Sequence, residues 1–188
     1  MSRILGGRGK GRRLKAPPGY KTRPTGSRVR QTLFDILAPE IPGCRFLDAF
    51  AGTGGVGLEA LSRGAARAVL VDTSASAVAA IRENVAALRA VGGDVEVFRQ
   101  EARVALTSFA DRGLRFDIIY LDPPYESDLY EVVLEHIGAR RLLDERGVVV
   151  VEHFHKRALP ETIGGLRLTR SVRVGDHRLS FYRWRPDE

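Results

Sequence analysis

The sequence predicts an α/β fold: a doubly wound, mostly parallel twisted sheet with a C-terminal antiparallel hairpin and a basic N-terminal arm. Three observations carry this. Short apolar runs at 46–50, 68–71, 95–98, 116–121 and 148–151 alternate with helical stretches at 55–63, 74–90, 102–111 and 129–137. That alternation is the βαβ signature. Two further strand-like runs, 166–174 and 177–184, are separated only by Gly175-Asp176, the spacing of a tight hairpin. Finally, 188 residues with 44% hydrophobic side chains suit one domain of ordinary size and leave no room for a large separate substrate domain.

The first element is the arm. Residues 1–34 carry ten basic residues (Arg3, Arg8, Lys10, Arg12, Arg13, Lys15, Lys21, Arg23, Arg28, Arg30) and no acidic one. The remainder has 20 basic against 23 acidic residues, so a chain of net charge +7 is a mildly acidic body with a cationic front. Arginine forks onto phosphate oxygens and each neutralised phosphate releases counterions, so Arg3, Arg12, Arg13, Arg23, Arg28 and Arg30 are candidate contacts to a nucleic acid. The bland alternative is a solvated tail. Gly6, Gly7, Gly9 and Gly11, then Pro17, Pro18 and Gly19, argue against a long regular helix there. Over 27–37 the pattern changes: Val29, Leu33, Phe34, Ile36 and Leu37 recur near helical spacing, and Pro39 and Pro42 end the run. This predicts a helix that docks the arm. The expected organisation is arm and docking helix over 1–43 and a catalytic domain over 44–188.

A single cysteine, Cys44, excludes an intrachain disulfide, and no Cys/His cluster has the spacing of a closed zinc site. A cytoplasmic setting is expected. The longest apolar stretches are only a few residues, as at 148–151, and MSRILGGRGKGRR has no apolar core, so neither a membrane span nor secretion is expected. His153-x-His155 follows the fifth strand but lacks a convincing third ligand, so no metal is expected and both read as surface or substrate-side histidines. Glu152 is a candidate to face the crevice. Cys44 reads as a small core residue, and Phe181, Tyr182 and Trp184 as sheet packing.

After the first strand of the series comes Asp48-Ala-Phe-Ala-Gly52-Thr-Gly54-Gly55-Val-Gly57. Glycines at a strand-to-helix turn let backbone approach a ligand, and the helix N-terminus offers free N–H groups to an anion. Gly52-x-Gly54-x-x-Gly57 satisfies the dinucleotide fingerprint, with Asp72 near the distance expected for a ribose diol. Asp48, however, would face a pyrophosphate unfavourably. A zwitterion bearing an ammonium tolerates it, and S-adenosylmethionine has that ammonium, a carboxylate and a ribose. A dinucleotide and a purely structural turn stay open.

The run 116–121 leads straight into Asp122-Pro123-Pro124-Tyr125. At the carboxyl end of a parallel strand this motif lies where ligands bind in open α/β sheets, beside the glycine loop. The prolines fix the backbone, so the Asp122 carboxylate and Pro123 carbonyl can both be aimed at one amino group. An exocyclic amine is a poor nucleophile because its lone pair is delocalised into the ring. Accepting both of its N–H bonds favours the localised lone pair, and Tyr125 can stack on the base. The bland alternative is a Pro-rich loop with an incidental tyrosine.

Together these residues resemble a known family. Arg3-Ile-Leu-Gly-Gly7, Arg23-Pro-Thr25, Arg28-Val-Arg30-Gln-Thr-Leu-Phe34, Leu47-Asp-Ala-Phe-Ala-Gly-Thr-Gly54, Gly57-Leu-Glu-Ala-Leu-Ser-Arg-Gly-Ala65 and Asp122-Pro-Pro-Tyr125 look like the bacterial 16S rRNA guanine-N2 methyltransferases of the RsmD type. The resemblance spans nearly the whole chain. It implies a Rossmann-like class I methyltransferase fold, S-adenosylmethionine as donor, and 16S rRNA as partner, within a small-subunit assembly particle. It places Asp48, Ala51, Gly52, Thr53 and Gly54 at the donor's methionine end, Asp72 at its ribose, Glu101 and Ala102 against its adenine, and Asp122, Pro123, Pro124 and Tyr125 at the target base. A monomer is expected. Three other readings remain: a dinucleotide oxidoreductase, an amino-methyltransferase acting on another RNA or DNA base, and a non-catalytic RNA-binding assembly factor.

Overall fold

The computed structural model describes residues 2–16, 26–88, 92–124 and 128–185. The elements run β1 (Ser2–Arg3), β2 (Arg13–Leu14), α1 (Ser27–Leu37), β3 (Arg45–Asp48), α2 (Gly55–Ser62), β4 (Arg67–Asp72), α3 (Ala75–Ala87), β5 (Asp94–Arg99), α4 (Ala102–Asp111), β6 (Phe116–Leu121), α5 (Leu129–Ala139), β7 (Leu143–Phe154), β8 (Thr162–Ile163), β9 (Leu166–Val174) and β10 (His177–Trp184).

Strands with apolar residues on both faces need cover on both faces, and parallel pairing with crossover helices supplies it. β5, β4, β3, β6 and β7 lie side by side in that order, all parallel, so the sheet reverses direction of growth between β3 and β6. The terminal hairpin joins through its second strand: β10 lies antiparallel beside β7, with β9 and then β8 outside it. One face of β6 sends Ile119 and Leu121 into a core shared with α4 and α5. The other sends Ile118 and Tyr120 into a core shared with Val29, Leu33, Phe34 and Leu37 of α1. The apolar spacing read over 27–37 is thus the stripe by which this helix packs on the sheet.

Several boundaries differ from expectation by one or two residues, and those of two elements by more. β7 starts at Leu143, well before the apolar run at 148–151, because Leu143 pairs with Phe116 across the sheet. α3 is described as far as Ala87, and part of the stretch expected to reach 90 lies outside the described residues.

The described part of the arm is folded rather than trailing. Among its described residues, β1 and β2 form a small antiparallel pair, with Ser2 opposite Leu14 and Arg3 opposite Arg13. Ile4 and Leu14 are 0% and 3% exposed, in a third core with Leu58, Leu61, Ile81 and Leu88. Burying each such side chain is worth roughly 1.5–3 kcal/mol. Beneath it, the fully buried Glu59 of α2 accepts hydrogen bonds from the amides of Leu5 and Gly6, both at 2.7 Å, and from Arg63 Nε at 2.8 Å. Gly7 has φ +71°, and a Cβ there would sit 1.8 Å from the Ser62 carbonyl oxygen, so only glycine allows this approach.

Candidate active site

β3 ends at Asp48, and the chain turns through 49–54 into α2. The turn is held by Ala49 N–H donating to the Tyr120 carbonyl, Ala51 N–H to that of Val71 and Gly54 N–H to that of Ala51. Gly52 and Gly54 have φ of +55° and +80°, conformations with a steric cost for other residues. Gly57 serves a different purpose. A Cβ there would lie 3.0 Å from Leu70 Cγ, so its absence lets α2 sit tightly on β4.

Asp48 is 1% exposed. Its Oδ2 accepts the Gly57 N–H at 3.1 Å, while Oδ1 is buried with no hydrogen-bond partner among the described residues. Burial pushes its pKa up to about 7; the Gly57 amide pulls the other way and the negative charge of Asp72 adds to the rise. A buried carboxylate with one oxygen unsatisfied is costly in itself and is suited to a ligand that brings a positive charge and N–H donors.

Asp72, at the end of β4, holds the same loop. Its Oδ2 accepts the Gly52 N–H and its Oδ1 the Ser74 N–H, each at 2.8 Å, so the carboxylate organises the loop and keeps further lone pairs for a diol. Ala51 and Thr53 are buried in the loop, at 7% and 8% exposure. Glu101 precedes α4 with an exposed side chain 3.3 Å from Arg103 Nε, and Ala102 is buried behind it.

On the neighbouring strand, Tyr120 lies opposite Asp48, which brings Asp122 to the same sheet end as the glycine loop. Asp122 is half-buried, Pro123 buried and Pro124 exposed; Tyr125 lies outside the described residues. The Tyr130 hydroxyl of α5 donates to the Pro123 carbonyl at 3.4 Å. Its pKa is pushed up to about 12, first by burial and then by the nearby Asp122 carboxylate.

The sequence reading missed three participants. Glu59 and Asn84 tie the arm to the helices behind the glycine loop, and Tyr130 sits under Pro123. A charged residue inside the apolar octet of α2 was the one legible signal among these. Glu152, the candidate to face the crevice, is fully buried: it accepts the Tyr120 hydroxyl, and His177 Nδ1 lies 2.7 Å from its other oxygen.

Three expectations need correction or restriction. Arg30 is 3% exposed, with Nη1 and Nη2 donating to Ser2 Oγ and the Arg3 carbonyl and Nε 3.9 Å from Glu59, so it fastens the arm rather than facing solvent. His153 is 1% exposed, not a surface group: its Nδ1 donates to the Phe154 carbonyl and its Nε2 accepts from Ser180 Oγ, and burial lowers its pKa. Arg3, Arg12, Arg13 and Arg28 are exposed, whereas Arg23 lies outside the described residues. Cys44 is buried and its thiol is pushed up to about 12 by burial. Among the described residues no group of three or more His, Cys, Asp or Glu could hold a metal, and no helix is long and apolar enough to cross a membrane.

Comparison with known proteins bears on this site. The family model described as Conserved hypothetical protein 95 matches residues 2–183. Ribosomal RNA small subunit methyltransferase D of Escherichia coli (strain K12) is 34% identical over 180 residues, covering 96% of this chain and 88% of the relative. The solved structure of yhhF from Escherichia coli has a TM-score of 0.85 at 34% identity and covers 99% of both chains. The Thermus thermophilus 16S rRNA N2 guanine methyltransferase RsmC, solved with AdoMet and guanosine, has a TM-score of 0.69. It is 22% identical, over 89% of this chain and 45% of RsmC, a likeness of fold.

Proposed function

The chain belongs to the Conserved hypothetical protein 95 family, that of the RsmD-type rRNA methyltransferases, and from that premise we propose that it methylates the exocyclic N2 amine of a guanine in 16S rRNA with S-adenosylmethionine as donor. Residues 1–43 form the RNA-binding arm and docking helix, and 44–188 the methyl-transfer domain. The protein works in the cytoplasm as a monomer, on a small-subunit assembly particle.

One observation carries the reading. The buried, unpartnered Oδ1 of Asp48 and the acceptors of Asp122-Pro123 stand at one sheet end on adjacent strands, which lie about 4.8 Å apart. The pocket fits the donor. Asp48 meets its ammonium, the free amides at the start of α2 and the left-handed Gly54 favour its carboxylate, and Asp72 keeps lone pairs for the ribose. Glu101 and Ala102 flank the adenine. A pyrophosphate would instead bring negative charge onto Asp48, which speaks against a dinucleotide.

The donor supplies an electrophilic methyl on a sulfonium and a thioether leaving group. The chain positions the nucleophile. The base is extruded into the crevice, as enzymes modifying bases require. Asp122 and the Pro123 carbonyl accept the two N–H bonds of the amine, favouring the localised lone pair. Fixed acceptors need no reorganisation, so catalysis is positioning and electrostatics. Tyr130 holds the Pro123 carbonyl from below, and Tyr125 stacks on the base. Arg3, Arg12, Arg13, Arg23 and Arg28 contact phosphates.

The test is transfer of labelled methyl to 16S rRNA, free and in small subunits lacking the modification, followed by nucleoside analysis. Labelled N2-methylguanosine is the expected product. Donor binding without transfer to either substrate would overturn the reading in favour of another nucleic acid or a non-catalytic assembly factor.

A further inference from the structure

The basic arm is not the molecule's one cationic region. Between Thr162 and Arg185 the sequence has six arginines (Arg167, Arg170, Arg173, Arg178, Arg183, Arg185) and one acid, Asp176. Arg183 is committed to Glu40 at 2.8 Å. Around Arg170, Arg173 and Arg178, by contrast, no carboxylate comes within ion-pair distance among the described residues. Their partners are neutral: Arg173 Nε donates to the Gly175 carbonyl, Arg178 Nη1 to Ser171 Oγ, and Arg170 lies over the Phe181 ring.

The sheet puts this charge beside the target loop. His153 of β7, Arg178 of β10 and Arg173 of β9 form one row across three strands. The row starts at the catalytic motif: Tyr130, whose hydroxyl reaches the Pro123 carbonyl, meets the His153 ring edge-on at 6.3 Å. Lys156 adds an exposed charge just past β7, while Arg157, stacked 4.5 Å over Tyr130, is neutralised by Glu131. With strands about 4.8 Å apart, β9 stands roughly 15 Å from β6.

The arm lies on the other side. Arg12 Nη1 donates to the Ala87 carbonyl and Lys15 N–H to Asn84, both in α3, which packs on β4 and β5. The loop after β6 therefore stands between two cationic elements. Arginine on β9 could simply guard an open strand edge, since β8 pairs only with Leu166 and Arg167. Edge protection does not call for Arg178, which is on the interior strand β10.

We infer that the Arg173 and Arg178 face of the C-terminal hairpin is a second contact for the rRNA backbone, holding the strand on the side of the target base opposite the arm. This rests on the rRNA reading above. Guanidinium is the fitting chemistry because its fork matches phosphate oxygens and it sheds water readily.

The experiment compares wild type with R173Q/R178Q and with the arm variant R12Q/R13Q. It measures binding of a 16S rRNA fragment over a salt series, donor binding by calorimetry, and thermal unfolding. R173Q/R178Q is expected to keep donor affinity and to flatten the slope of log K against log salt by about 1.4–1.8, that is 0.7–0.9 for each phosphate no longer neutralised. An unchanged slope overturns the inference. If the double variant fails to fold, R173Q alone, at an exposed site, is expected to flatten the slope by half as much. If wild type transfers no methyl to 16S rRNA while the variants still flatten the slope, the proposed function falls and the RNA surface stands. Unchanged binding to free RNA with abolished methylation of assembled particles would make the face a protein-docking surface and overturn the inference.

Discussion

Asn84 and Lys15, separated by 69 positions, hydrogen-bond reciprocally: Asn84 Oδ1 accepts the Lys15 N–H at 2.8 Å and Asn84 Nδ2 donates to the Lys15 carbonyl at 3.0 Å. The second Nδ2 proton goes to the carbonyl of Thr53, at 3.1 Å, in the glycine loop. One buried side chain therefore joins the arm to the glycine loop.

Asn84→Ala removes all three bonds and strands buried backbone groups, each costing about 1–3 kcal/mol. The expected result is a loss of about 2–4 kcal/mol in urea unfolding together with weaker donor binding by calorimetry. Reduced unfolding stability with donor affinity intact would make Asn84 a strut for the arm alone.

Asp48→Asn separates stability from function. The Asp48 pKa is raised from 3.8 to about 7 by burial, so between those values the folded protein holds a proton that the unfolded chain has released. Stability from this residue therefore falls as pH rises from about 4 to about 7. Asp48→Asn should match wild type near pH 4 and exceed it above pH 7 by up to about 4 kcal/mol, while losing donor binding. Urea unfolding at several pH values checks the first part and calorimetry the second.

In the proposed mechanism, Asp122→Ala removes one of two fixed acceptors for the target amine. Turnover should fall by a factor on the order of 10² or more, the scale of losing one preorganised polar group, with donor affinity unchanged. Single-turnover methyl transfer beside equilibrium donor titration measures both. Equal loss of both would refute this division of labour.

Gly7→Ala tests how the arm is seated. Its Cβ would meet the Ser62 carbonyl oxygen at 1.8 Å in a φ +71° conformation, so the arm must lift from α2. Limited trypsin digestion should then cut rapidly at Arg8 and Arg12, which are exposed, while the body remains intact. Unchanged cleavage would show that the arm tolerates the change.

The order of elements was legible because hydrophobic period is a local property. The helices at 27–37 and 102–111 and the strands at 116–121, 166–174 and 177–184 have the same bounds in the structure. The placing of Asp48, the glycines and Asp122 at one end of the sheet was also legible, since carboxyl ends of parallel strands share a side.

What the sequence alone could not decide depends on pairing between distant residues. Arg30 reads as one more charge in a basic arm, and only packing shows its guanidinium buried against Ser2, Arg3 and Glu59. His153 reads as a surface or substrate-side histidine, and only the pairing of β7 with β10 buries it against Ser180. Nor does a hairpin sequence say which strand meets the sheet. β10 rather than β9 pairs with β7, and that choice sets Arg178 and Arg173 in a row with His153. The sequence determined the elements, the glycine loop and the Asp122-Pro123-Pro124-Tyr125 motif, because each is written in residues close along the chain. The tertiary structure decided which charges are fasteners and which face solvent, because burial depends on neighbours many positions away.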